Sequence, residues 1–152
     1  MPITAQDLCF SFNNGADLVL KDIDFKVREN ELHIVLGANG SGKSTLFRCL
    51  VGLLPPLKGN IKSTERISFL PQRVTPNQFM TVEQCLTLGI EAHNIDAAQQ
   101  QIEKFGLKTF TKRTVRELSG GEQQRVWVAS VCAEDSKYLL LDEPTASLDL
   151  HH

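Results

Sequence analysis

The sequence predicts an α/β fold whose core holds a largely parallel sheet, with an antiparallel β subdomain near its N-terminal end and a small helical subdomain attached. Three observations point there. Short apolar runs at residues 32–36 and 137–142 have the length of buried strands, not helices. The first run passes directly into a glycine-rich turn and a helical pattern over 43–50, a strand–turn–helix order. Residues 3–12, and then Ile23, Phe25 and Val27, alternate apolar with polar on either side of the turn signal Asn13-Asn14-Gly15, as an antiparallel pair does.

Each remaining element has a local cause. Gly52 and the Pro55-Pro56 pair stop the helix over 43–50. Residues 59–63 and 66–70 read as two short strands. Thr81, with Gln84 three residues on, forms a capping box that opens a helix. Asp96 opens another, which Gly106 closes near Phe105. Gly120 and Gly121 precede a long amphipathic helix that runs to about Ala133. The helical subdomain is expected over about 76–117, inside a single domain spanning 1–152. There are no repeats and no low-complexity linkers.

Composition narrows the function classes. A hydrophobic fraction of 41% and a charged fraction of 22% belong to an ordinary globular chain with a core to bury. A net charge of −2, with acids and bases interspersed, gives no general attraction to nucleic acid or an anionic membrane, and no nucleic-acid partner is expected. Cys9, Cys49, Cys85 and Cys132 lie far apart without a CxxC pair, which argues for reduced thiols in a cytosolic protein over zinc or disulfides. The start MPITAQDL has neither basic residues nor an apolar stretch, so no secretory leader is expected. No apolar run is long enough to span a bilayer, so any membrane work falls to another chain.

Gly37-Ala38-Asn39-Gly40-Ser41-Gly42-Lys43-Ser44 fits GxxxxGK[ST] between a strand and a helix, the pattern of a P-loop NTPase core. Glycines let the loop turn its backbone N–H groups inward toward a polyphosphate, and the helix start adds partial positive charge. Lys43 can reach the terminal phosphates, the Ser44 hydroxyl can ligate magnesium, and Thr45 follows on the same helix start. The bland alternative is a glycine-rich turn with no ligand. The motif says nucleoside triphosphate and leaves ATP, GTP and kinase readings open. The strand at 138–141 ends in Asp142-Glu143, at the sheet edge where ligands bind in parallel α/β folds. Asp142 is a candidate to hold magnesium and Glu143 to polarise an attacking water, against the alternative of two solvated acids.

Leu118-Ser119-Gly120-Gly121-Glu122-Gln123-Gln124-Arg125 resembles the signature sequence of ABC ATPases almost letter for letter. Gln72, after Phe69-Leu70-Pro71, resembles the family's Q-loop, and Ala146-Ser147-Leu148-Asp149 its D-loop. The resemblance covers essentially the whole chain, in the family's order. It implies ATP and Mg2+ as cofactors, with Lys43, Glu143 and Gln72 catalytic and with Ser44, Gln72 and Asp142 at the metal. It places Phe12 against adenine, although an aromatic at a strand end is also ordinary core. It gives Gln72 contact with magnesium and water, although alone it is an unremarkable polar residue. It further implies that Ser119, Gly120 and Gly121 face the γ-phosphate of a second copy in a head-to-tail dimer, and that transmembrane permease subunits are partners on the cytoplasmic face of the membrane.

Within the family, Arg125-Val126-Trp127-Val128-Ala129 and Leu148-Asp149-Leu150-His151-His152 look like the subgroup serving iron-chelate, haem and cobalamin importers, as do Thr81-Val82-Glu83 and Leu88-Gly89. The stretch between Gly89 and Leu118 is short for that subgroup, which leaves metal-ion and other small-solute systems open. A non-transport relative in DNA repair or chromosome structure would carry long coiled coils between Lys43 and Ser119, and no sustained heptads occur there. A translation-associated relative would need two cassettes. A binding-only regulator would lack Lys43, Asp142 or Glu143. The family also has a further strand carrying a switch histidine. His151 and His152 stand too close to Asp149 for that part, whether they are native or a tag stub. The expectation is a C-terminally shortened chain that binds ATP better than it hydrolyses it and exposes part of its core.

Overall fold

Strand β1 (Ile3–Phe10) pairs antiparallel with β2 (Leu20–Val27) on one side and with β3 (Lys58–Lys62) on the other, in the order β2-β1-β3. The computed structural model describes residues 2–13, 15–74, 79–88 and 95–144. The expected N-terminal pair is present, and the strand expected at 59–63 joins it as the third member. Register shifts interrupt both ladders near Asp7 and Cys9, where Asp7 turns to φ 48° and the facing Asp22 to φ 47°. The Asp24 carboxylate accepts the displaced Asp7 N–H at 2.7 Å, so the bulge leaves that donor satisfied. Gly59, at φ +87°, is required there, because a Cβ would stand 2.4 Å from the carbonyl oxygens of Gln6 and Asp7.

Helix α1 (Lys43–Leu50) follows the glycine-rich turn as expected. It buries Thr45, Leu46, Cys49 and Leu50, a spacing that places them on one face. The chain divides into two units, residues 1–67 and 68–152, and these elements belong to the first.

Residues 32–36 correct the sequence reading. No strand forms there, and Leu32, Ile34 and Leu36 are 88%, 72% and 86% exposed, where a buried core strand was expected. An apolar run becomes a buried strand only when neighbours take up its backbone N–H and C=O groups. Among the described residues no strand pairs with it.

In the second unit, β4 (Ile67–Leu70) and β5 (Tyr138–Leu141) form a two-stranded parallel sheet. The Asp142 N–H extends their ladder by donating to the Leu70 carbonyl at 2.9 Å. Three helices make the rest: α2 (Val82–Thr87), α3 (Ile95–Lys104) and α4 (Gly120–Ala133). They bury Val82, Leu86, Ile102, Val126 and Ala129, together with Leu107, Val115 and Leu118 from the connections, in one apolar cluster. The Thr81–Gln84 capping box forms as expected. Two more, Thr114–Glu117 and Ser119–Glu122, set the start of a short 3-10 turn (Val115–Glu117) and of α4. The segment before α2 also pairs with 111–115 through Val82 N–H to Arg113 O and Val115 N–H to Met80 O, an arrangement with no local sequence signal.

Candidate functional site

The candidate residues divide between the two units. Phe12 and the loop from Gly37 to Thr45 lie in the first; Gln72, Ser119, Gly120, Gly121, Asp142 and Glu143 lie in the second. The D-loop candidates Ala146 to Asp149, and His151 and His152, fall outside the described residues.

Two glycines of the loop take a backbone that glycine favours. Gly40 sits at φ +79° and Gly42 at φ +96°, both in the left-handed region. Gly42 is the residue before α1, and a Cβ there would press within about 3.1 Å of Leu20 and of the Val19 carbonyl. The turn is therefore shaped by the strand packed beneath it. Ser41 N–H closes it by donating to the Ala38 carbonyl, at 3.2 Å. Lys43 Nζ donates to the carbonyls of Gly37 and Ala38 at 2.9 and 3.0 Å, which fixes the ammonium across the loop and leaves its third proton for another acceptor. Asn39 and Ser41 stand on the exposed side, Ser44 is half-buried at the helix start, and Thr45 is buried beneath it. Phe12 is not core: it is 66% exposed, two residues beyond β1, and set edge-on against Phe10 with ring centroids 4.9 Å apart. That leaves an aromatic face open at the strand end.

In the second unit, β5 delivers two acids with different environments. Asp142 is 3% exposed, and its Oδ2 has no hydrogen-bond partner among the described residues. A buried carboxylate oxygen left unpartnered is costly unless a cation or donor completes it, so the donor set fits a divalent ion. Glu143 adopts φ +50°, a left-handed backbone that costs a non-glycine residue roughly 1–2 kcal/mol. Its Oε2 accepts a hydrogen bond from Gln72 Nε2 at 2.6 Å. Two residues 71 positions apart, singled out separately in the sequence, thus meet directly. The β4–β5 pairing causes this, because Gln72 leaves β4 beside the point where Glu143 leaves β5.

Ser119 is the residue before α4. Its Oγ accepts the Glu122 N–H, and Glu122 Oε2 accepts the Ser119 N–H at 2.8 Å. The backbone N–H of Ser119 holds the Glu122 carboxyl below its usual range, with the Ser119 side chain adding to this. Gly120 and Gly121 supply the next amides of this first turn, where helix geometry provides no internal acceptor. Farther along, Gln123 Nε2 donates to the Leu118 carbonyl at 3.0 Å, Gln124 Nε2 to the Pro144 carbonyl at 2.7 Å and Arg125 to the Phe105 carbonyl at 3.3 Å. The Gln124 tie was not singled out in the sequence. Its only signal there is a second glutamine one turn past Ser119.

Among the described residues no helix is long and apolar enough to cross a membrane, and no group of three or more His, Cys, Asp or Glu gathers as a metal cluster.

A phosphate-type loop, a strand ending in paired acids and a helix opening on Ser-Gly-Gly define a nucleotide-binding α/β protein of the signature-bearing class. The ABC transporter family profile matches residues 20–146, and the chain belongs to that family. It is 34% identical over 134 residues to a zinc import ATP-binding protein of Acinetobacter baylyi, covering 87% of this chain and 52% of that protein. With a zinc import ATP-binding protein of Paracoccus denitrificans it shares 40% identity over 152 residues, 97% of this chain and 59% of the relative. With a cobalamin import ATP-binding protein of Halobacterium salinarum it shares 36% over 155 residues, 88% and 39%. Among solved structures, a metal-chelate type ABC transporter in an inward-facing conformation superposes with a TM-score of 0.85 at 30% identity, over 97% of this chain and 62% of that one. A nucleotide-free ATP-binding cassette at 22% identity and TM-score 0.80 supports the fold. The chain therefore spans 39–59% of the length of these three curated relatives.

Proposed function

We propose that the chain is the ATP-binding and ATP-hydrolysing part of an ABC transporter's motor subunit, working at the cytoplasmic face of a membrane through permease partners. The observation that carries this is the pair at the end of β5: a buried Asp142 oxygen with no hydrogen-bond partner among the described residues, beside a Glu143 carboxylate that accepts from Gln72. On this reading the backbone amides of the loop from Gly37 to Ser44 take the phosphates, and Lys43 neutralises their charge. Magnesium, when bound with the nucleotide, supplies charge neutralisation at the phosphates, and Ser44, Gln72 and Asp142 are the residues to hold it. Glu143 takes a proton from the attacking water, and Gln72 sets the direction of that carboxylate. Phe12 offers its open face to adenine. Ser119, Gly120 and Gly121 complete the ATP site of a second copy, a donor supplied in trans as an arginine finger is.

The cargo read from the relatives is a metal ion or metal chelate, since the zinc and cobalamin import proteins and the metal-chelate transporter are among those it matches. The test is magnesium-ATP binding and turnover by the intact subunit. Glu143→Gln should bind ATP as tightly as the parent, trap a dimer and lose about 10²-fold or more in hydrolysis. Hydrolysis at the parental rate would remove Glu143 from its role. Co-purification of the intact subunit with a permease tests the transport reading.

A further inference from the structure

We infer that Gln124 is a positioning residue for hydrolysis: its side chain ties the helix that opens on Ser119 to the loop that carries Glu143. This rests on the assignment of Glu143 proposed above.

The argument begins at the backbone. Glu143 holds a left-handed φ of +50°, which an L-residue adopts only where its surroundings impose it. On its N-terminal side the imposition is visible: Asp142 N–H is locked to the Leu70 carbonyl at 2.9 Å. On its C-terminal side the hold is Gln124 Nε2, which donates to the Pro144 carbonyl at 2.7 Å across 20 residues of sequence. Glu143 thus sits between two hydrogen-bonded neighbours, and its own carboxylate takes a third bond from Gln72. Without the Gln124 donor the Pro144 carbonyl is free to rotate and the strained φ to relax, swinging the carboxylate away from Gln72.

The second half of the argument is where Gln124 stands. It lies in the second turn of α4, flanked by residues committed elsewhere, Gln123 to Leu118 and Arg125 to the end of the α3 segment at Phe105. The helix is therefore tied to the helical cluster, and among the described residues Gln124 is its side chain hydrogen-bonded to the acidic loop. On the dimer proposed above, in which the N-terminus of α4 serves the partner copy's ATP, Gln124 links that contact to the water-activating carboxylate. Docking of a second copy then aligns Glu143 directly.

The experiment compares four variants of the intact subunit, Gln124→Met, Gln124→Glu, Gln124→Lys and the reference Glu143→Gln, by ATP affinity, melting temperature and a split of kcat against KM. Met keeps the volume and removes the donor; Glu replaces donor by acceptor; Lys keeps a donor of similar reach. Met and Glu are expected to lower kcat about tenfold or more, with ATP affinity and melting temperature near the parent's, because misplacing a catalytic group by about 1 Å can cost 10²-fold. Lys is expected to recover most of the rate. Full kcat in the Met or Glu variant overturns the proposal, as does a loss of kcat matched by equal losses of affinity and melting temperature, which marks a merely structural tie. Should Met fail to fold, the Glu and Lys pair, both charged, decides the matter, and equal rates in that pair overturn it. Parental turnover in Glu143→Gln overturns the underlying assignment instead, independently of what the Gln124 variants do.

Discussion

Lys43 is held by the carbonyls of Gly37 and Ala38, so its charge is spent on shaping the loop as well as on any anion the loop receives. Lys43→Ala therefore removes two loop contacts together with the charge, and nucleotide binding should be lost, as titration calorimetry with magnesium-ATP would show. Lys43→Arg is an informative companion: it keeps the charge but not the compact ammonium, and retained binding would separate charge from shape. Asp142 poses the opposite problem, a buried oxygen with no partner. Asp142→Asn should weaken the magnesium dependence of ATP binding, as titrations with and without the metal would show, because a neutral amide is a poorer ligand for a hard cation than a carboxylate. Both residues were legible in the sequence, since their motifs fix residue type and spacing. Gln124 was not, because its partner is a backbone carbonyl, and a carbonyl belongs to every residue alike.

At the scale of elements, the helix starts carry the clearest local code. Thr81–Gln84 was readable as Thr-x-x-Gln, and Thr114–Glu117 and Ser119–Glu122 obey the same rule. Their glutamates make the second unit sensitive to acid. Backbone N–H groups at Thr114 and Ser119 hold the carboxyls of Glu117 and Glu122 below the ordinary value of 4.5. A folded-state pKa below the unfolded one gives stability that is complete above 4.5 and drains away as pH falls through the folded value. Melting temperature should thus decline as pH is lowered below 4.5, and Glu122→Gln, which keeps the cap and removes the titration, should flatten part of that decline. Ser119→Ala should cost about 1 kcal/mol at neutral pH in a denaturant titration. The pairing of 79–83 with 111–115 escaped the sequence because neither segment alternates; only the fold brings Thr81 opposite Thr114.

For the whole molecule, residues 32–36 are the telling stretch. Their apolar character was read correctly and their burial was not, because burial depends on partners elsewhere in space. Leu32, Ile34 and Leu36 face solvent, and covering each such side chain is worth about 1.5–3 kcal/mol. The chain should therefore self-associate as its concentration rises. Light scattering should show this, and Leu32→Lys with Ile34→Lys should restore a single species. Unchanged scattering would mean that the run is not what drives contact. Covalent cross-linking through thiols is a poor rival explanation. Cys49, Cys85 and Cys132 are pushed above the ordinary thiol range by burial, which keeps them protonated and slow to react.

The three-stranded arrangement β2-β1-β3 has a further consequence for how copies can meet. Both outer strands carry lysines along their length, Lys21 and Lys26 on one and Lys58 and Lys62 on the other, all exposed. The β2 edge mixes these lysines with the exposed Asp22 and Asp24, whereas β3 carries lysine alone, so a second chain adding to β3 through its own β3 would set like charges against one another. Such β3-to-β3 growth of the sheet into a fibre is discouraged at its source.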